Sequence, residues 1–249
     1  MAYREQGRVR AWLTREYGGL SMWGLLVVLL VLGGVAGLWA YTKSQAAAEP
    51  DGDAFGALVI REAAFVGDSY SAGAGASDTD VRWTTVVAND LGWSEDNVAL
   101  GGTGYVTSAG KEACGLDYCG TYAETIGDVG GDPDLVVISG GRNDGRSPAG
   151  LENAAVNTFE KAHTRFPNAL IVATSPLWDD DEAPAWLEDN AEVVKRAAEE
   201  TGTVYLDIGQ PLAGHPAYIA EDGLHPNDAG HVAIAIAFEA AWEDFAASQ

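Results

Sequence analysis

The chain has 249 residues, 14 Lys/Arg against 37 Asp/Glu, and a net charge of −23 at pH 7. That length accommodates a membrane segment plus one globular domain of roughly 190 to 200 residues. So acidic a surface repels nucleic acid and anionic headgroups, which excludes polyanion binding through a basic patch.

From Gly18 to Tyr41 no residue is charged, and Leu25 to Leu32 is continuously apolar. At about 1.5 Å per residue a helix over 18–41 reaches about 36 Å, enough for a hydrocarbon core of about 30 Å. A transmembrane helix is therefore predicted over 18–41, after a basic N-terminus (1–17) and before a short tether (42–56) rich in Ala, Gly and Asp. A cleaved signal is the alternative, with secretion as its outcome. Its apolar region is normally only about 7 to 15 residues, although Ala46-Ala47-Ala48 offers small residues for cleavage. Arg4, Arg8, Arg10 and Arg15 precede the segment and only Lys43 follows it closely. The flanking cations place the N-terminus in the cytoplasm of a single-pass protein and the domain at 57–249 outside.

Beyond the tether, apolar runs alternate with helical periodicity. Strands are predicted at Ala63–Val66, Val98–Leu100, Leu135–Ser139, Leu170–Thr174 and Val204–Ile208. Cys114 and Cys119, the only cysteines, lie close together in a Gly-containing loop. In an exported domain that spacing predicts a disulfide. No second Cys pair and no His lies nearby, which argues against zinc. Leu151, Ala154/Ala155, Phe159, Ala162 and Phe166 repeat at helical spacing, as do Trp186/Leu187, Asn190, Val193/Val194 and Ala197. The last segment, Asp228 to Phe245, is apolar nearly all round from Val232 to Phe238 and is expected to pack in the core. This alternation predicts an α/β fold, a three-layer α/β/α domain around a parallel sheet of about five strands.

Three places could carry chemistry. The first strand runs straight into Gly67-Asp68-Ser69, which would put a small nucleophile at the carboxyl edge of the sheet. Near the C-terminus, Asp222-Gly223-Leu224-His225-Pro226 sets an acid and an imidazole at a spacing that lets one orient the other. Between them, Gly101-Gly102-Thr103-Gly104 and Gly140-Gly141-Arg142-Asn143 follow successive strands, where glycine backbone and a side-chain amide can meet an oxyanion. His231 reads as a packing residue, and His163 and His215 as structural or solvent-facing. Trp178 and Trp186 flank Asp179-Asp180-Asp181-Glu182, read as a solvated loop and helix N-terminus, with stacking on a substrate as the sharper alternative for the two tryptophans.

These residues resemble the SGNH or GDSL-type hydrolases. Gly67-Asp68-Ser69 is similar to the first block of that family, Asn97 to Gly102 to its second, Gly141-Arg142-Asn143-Asp144 to its third and Asp222 to Pro226 to its fifth, in order, over about Ala63 to Phe245. Ala99 departs from the glycine common in the second block, and Ser71 from the elbow glycine of ordinary α/β hydrolases. The resemblance implies a flavodoxin-like SGNH hydrolase fold with Ser69 as nucleophile, His225 as general base and Asp222 as its orienter. It further implies an oxyanion hole from the Ser69 and Gly102 N–H groups and the Asn143 side chain.

The expected protein is thus a membrane-tethered, extracytoplasmic serine esterase without metal or cofactor, acting on a small ester or an acylated carbohydrate. An O-acyltransferase of envelope glycans and a noncatalytic glycan-binding module on the same fold are the alternatives. Dinucleotide binding is disfavoured because Gly101-Gly102-Thr103-Gly104 misses the Gly-x-Gly-x-x-Gly spacing. Nothing in the sequence speaks to oligomeric state.

Overall fold

A computed structural model describes residues 16–17, 20–21, 59–146 and 149–249 of the protein. The chain divides into two units, Met1–Gly56 and Ala57–Gln249. In the first, Glu16–Tyr17 pairs antiparallel with Leu20–Ser21. Leu20 and Ser21 fall inside the span predicted as a helix from residue 18 but are extended, next to Gly18-Gly19, a dipeptide of low helix propensity. The rest of that span and the tether at 42–56 lie outside the described residues. No helix among the described residues is long and apolar enough to cross a membrane.

The second unit is built on five parallel strands: β1 (Glu62–Gly67), β2 (Ser94–Asn97), β3 (Leu135–Ser139), β4 (Leu170–Thr174) and β5 (Val204–Leu206). Their order is β2-β1-β3-β4-β5. Residues of one strand alternate between the two faces, so each face receives its own apolar set. Ala63, Phe65, Leu135, Val137 and Val172 pack with helices α2 (Trp83–Leu91) and α7 (Asp228–Ala247). On the opposite face Ala64, Val66, Val136, Ile138, Ile171 and Ala173 pack with α5 (Leu151–Arg165) and α6 (Ala185–Thr201). The short helices α1 (Ser69–Ala72), α3 (Lys111–Cys114) and α4 (Tyr122–Thr125) sit in connections at the carboxyl ends of β1 and β2.

Two expectations shift. The second strand is the polar segment Ser94–Asn97 and not the apolar Val98–Leu100. As the edge strand β2 is only half covered, so it tolerates Glu95 and Asp96. The apolar residues just beyond still hang on the sheet, with Val98 N–H donating to the Phe65 carbonyl and Leu100 N–H to that of Gly67. Helix α7 buries Ile234, Ala235, Phe238 and Trp242 but leaves Val232 42% and Ile236 61% exposed, because one side of it faces away from the sheet.

With strand order 2-1-3-4-5, the crossovers from β1 and β3 leave on opposite faces, and the crevice between them opens at the carboxyl edge. Gly67 and Ser139 are paired in register at that edge. The next residues of each strand form the site.

Candidate active site

The turn after β1 is shaped by what it lacks. A Cβ on Gly67 would stand 2.5 Å from the Ser139 carbonyl oxygen and 2.6 Å from Ser71 Oγ, so only glycine lets the chain turn there. Asp68 caps α1, its Oδ1 accepting the Tyr70 N–H at 3.0 Å, and Gly73 in the left-handed region closes it. Ser69 is thereby the first helical residue, half-buried, with its N–H at the positive end of a single helical turn. Asp68 itself is buried, and burial pushes its carboxyl up to about 6.

At the far end of the chain, the exposed loop before α7 is held by Asp222. One oxygen, Oδ1, accepts the N–H groups of Leu224 and His225, each at 3.0 Å. The other, Oδ2, lies 2.6 Å from His225 Nδ1. These bonds, the His225 backbone N–H foremost, draw the carboxyl down to about 2. A charged carboxylate at Nδ1 holds the proton of a neutral imidazole there and leaves Nε2 as the acceptor. Asn227 caps α7 by accepting from Ala229 and Gly230, which fixes where the loop ends.

The two turns between are joined by Asp144. Its carboxylate accepts the N–H groups of Tyr105, Val106 and Thr107 at 3.0, 2.9 and 3.1 Å, while Gly104 leaves no room for a Cβ beside it. Asn143 Nδ2 donates to the Thr103 carbonyl at 3.0 Å, committing one amide hydrogen and leaving the second. Gly102, with φ of +75°, begins the same turn, and a Cβ there would strike Ala113 Cβ at 2.6 Å. Ala113 directly precedes Cys114, which is bridged to Cys119. That bridge therefore braces the glycine turn as well as its own loop.

The predicted residues fall at one end of the sheet. Asp222 and His225 are hydrogen-bonded, and Asn143 reaches the Gly102 turn through Thr103. Ser69 sits opposite the histidine loop: the ring of its neighbour Tyr70 is 5.9 Å from the His225 ring, and a Cβ on Gly75 would lie 3.1 Å from His225 Cβ. No hydrogen bond joins Ser69 Oγ to His225 among the described residues, and without substrate such contacts are often long.

Sequence reading missed three groups. Asp144 closes the third block with no role assigned to it, yet it is buried and accepts three N–H groups. Arg142 is an unremarked letter of the third block, yet its guanidinium donates to the Tyr70 hydroxyl, pairs with Asp179 at 3.0 Å and stacks 4.3 Å from the Trp178 ring. Asp179, in a run whose sequence predicts a solvated loop, is only 8% exposed. The scarcity of cations, 14 Lys/Arg against 37 Asp/Glu, is the signal available for Arg142. Trp178 packs edge-on against Trp186 at 5.6 Å. His231 is buried, with Nδ1 accepting from Trp83 N–H and Nε2 donating to the Ala74 carbonyl, and burial lowers its basicity. His163 contacts Thr203 and His215 stacks on Tyr218. Among the described residues no cluster of three or more His, Cys, Asp or Glu is arranged to hold a metal ion.

A doubly wound parallel sheet whose polar loops gather at the β1/β3 switch point defines a flavodoxin-like α/β fold. Comparison with known proteins narrows the class. The model of the GDSL-like lipase/acylhydrolase family matches residues 65–233, and the chain belongs to that family. A GDSL lipase of Mycobacterium tuberculosis is 31% identical over 192 residues, covering 71% of this chain and 79% of that protein. Ester hydrolysis is thus the activity of its class, and this chain is an ester-hydrolysing enzyme. The same fold occurs in a family two carbohydrate esterase from Clostridium thermocellum solved in complex with cellohexaose (TM-score 0.57, 18% identity, 74% of this chain and 64% of that one). It occurs also in the salicylyl-acyltransferase SsfX3 of a tetracycline biosynthetic pathway (TM-score 0.58, 21% identity, 75% and 55%).

Proposed function

We propose that the protein is an extracytoplasmic serine esterase that removes O-acyl groups through a Ser69–His225–Asp222 triad. The observation that carries this reading is the His225–Asp222 pair, which leaves Nε2 as a free base in a loop packed against the Ser69 turn. Ser69 Oγ attacks the ester carbonyl carbon while Nε2 takes its proton. The resulting oxyanion is held by the Ser69 and Gly102 N–H groups and by the second amide hydrogen of Asn143. As the C–O bond to the alcohol breaks, imidazolium returns the proton to the leaving oxygen, and an acyl-Ser69 remains. Water, deprotonated by the same nitrogen, then releases the acid.

The address rests on an apolar stretch at 18–41 preceded by arginines and on the disulfide of the domain that follows. Short acyl groups on a small alcohol or a carbohydrate are the proposed substrates, in keeping with the carbohydrate esterase of like fold solved with cellohexaose. Transfer to a sugar hydroxyl instead of water is the second reading, and the acyltransferase of like fold is what favours it. The full chain, incubated with acetyl, butyryl and longer nitrophenyl esters with and without an added glycan, tests both. Fastest turnover of acetyl esters with free acid as product supports the esterase; acyl groups appearing on the glycan favour transfer; turnover that Ser69→Ala leaves intact removes both.

A further inference from the structure

Three residues that each adjoin a member of the proposed machinery meet at one oxygen. Tyr70 follows Ser69, Arg142 precedes Asn143, and Leu224 precedes His225. The Tyr70 hydroxyl donates to the Leu224 carbonyl at 2.7 Å and accepts from Arg142 Nη1. Arg142 is in turn fixed by Asp179, with side chains 8% and 11% exposed. One donor hydrogen and one occupied lone pair are what a phenol can supply. Burial holds that phenol well above its ordinary pKa, so it stays a neutral donor.

The loop it grips needs such a tie. Glu221 to Leu224 are exposed, and the other hydrogen bonds of the loop are internal or run to its own flanks, such as Ala220 N–H to the His225 carbonyl and Asn227 N–H to that of Tyr218. Among the described residues, the bond from Tyr70 to Leu224 is the only hydrogen bond between residues 220–225 and the turn that carries Ser69. The ring of Tyr70 also sets the near wall against His225.

We propose that Tyr70 is a positioning residue, its hydroxyl held by the Arg142–Asp179 pair, that sets the reach between Ser69 and His225. The role rests on the triad reading above. A bare packing role predicts otherwise, since phenylalanine would serve it as well. Misplacing a reacting group by about 1 Å can cost on the order of 10²-fold in rate. Tyr70→Phe in the full chain should therefore lower kcat for nitrophenyl acetate by roughly 10- to 100-fold with KM within about two-fold, and slow fluorophosphonate labelling of Ser69 by the same factor. Asp179→Asn, which frees Arg142, should move the same parameters the same way, and serves if the phenylalanine variant folds poorly. Because Arg142 acts through the one hydroxyl, adding Arg142→Gln to Tyr70→Phe should cost nothing further in kcat.

Folded Tyr70→Phe and Asp179→Asn proteins that keep kcat within about two-fold of the unaltered enzyme, or losses of Tyr70→Phe and Arg142→Gln that multiply, would overturn the proposal. Ser69→Ala measured alongside separates the two failures. Retained turnover there removes the triad reading and the network together, whereas a dead Ser69→Ala beside an unaffected Tyr70→Phe removes the network alone.

Discussion

His225 Nδ1 lies 2.6 Å from Asp222 Oδ2, and the opposite oxygen of that carboxylate takes the backbone N–H groups of Leu224 and of His225 itself. One acid therefore fixes both the ring and the chain that bears it. This local arrangement, closed within four residues, explains why a loop so exposed can present an aligned base.

Asp222→Asn keeps the size of the side chain but offers Nδ1 an amide in place of a charged acceptor. The tautomer with its proton on Nδ1 loses its advantage, and kcat should fall by about 10³ to 10⁴. Steady-state kinetics at neutral pH check this, with circular dichroism to show an unchanged fold. Because the Asp222 carboxyl is drawn down to about 2, its contribution to stability is present above the ordinary carboxylate range and is lost only as pH falls through that value.

Asn143→Ala removes a proposed oxyanion donor together with the bond to the Thr103 carbonyl. Loss of one such donor typically costs about 10² to 10³ in turnover, and the lost hydrogen bond about 1 kcal/mol in stability. The expected signature is a large fall in kcat with a small shift in melting temperature. An equal fall in thermal stability and activity at assay temperature would instead mark a structural residue.

Asp68 works in the opposite sense to Asp222. Its folded carboxyl is raised to about 6 by burial, so its stabilising contribution is full below the unfolded value and is lost as pH rises through 6. Asp68→Asn retains an oxygen to cap Tyr70 N–H and removes the titration. The variant should melt higher than the unaltered protein at pH 7.5, by an amount that reflects a few kcal/mol, and the gap should close as pH is lowered to 4. Thermal melts across that range decide the matter.

Replacing both cysteines by serine opens the loop that starts next to Ala113, the residue that rests on Gly101 and Gly102. The loop-entropy cost is about 2 kcal/mol, equivalent to roughly 4 to 8 °C in melting temperature for a domain of this size. Turnover should fall with it, because the glycine turn loses its brace. A melting drop with unchanged kcat would confine the disulfide to stability.

Much of this was readable in advance because the signals are local. Strands β1, β3, β4 and β5 are apolar runs that a buried parallel sheet demands, and α5 and α6 carry their apolar residues at helical spacing. Asp222 and His225 are three residues apart, and Ser69 follows its strand directly. What was not readable is long-range or reversed in sign. Strand β2 is polar because an edge needs little burial, and α7 shows apolar residues to solvent that a hydropathy pattern assigns to the core. The junction of Tyr70, Arg142 and Asp179 links positions 72 and 37 residues apart, which no periodicity reveals.

In the proposed mechanism Ser69 is the nucleophile that His225 activates. Reaction of the full chain with a fluorophosphonate, followed by peptide mass spectrometry, tests it most directly. The expected outcome is one covalent adduct, on Ser69, lost in Ser69→Ala and strongly slowed in His225→Ala. An adduct on another residue, or labelling as fast in His225→Ala as in the unaltered enzyme, would contradict it.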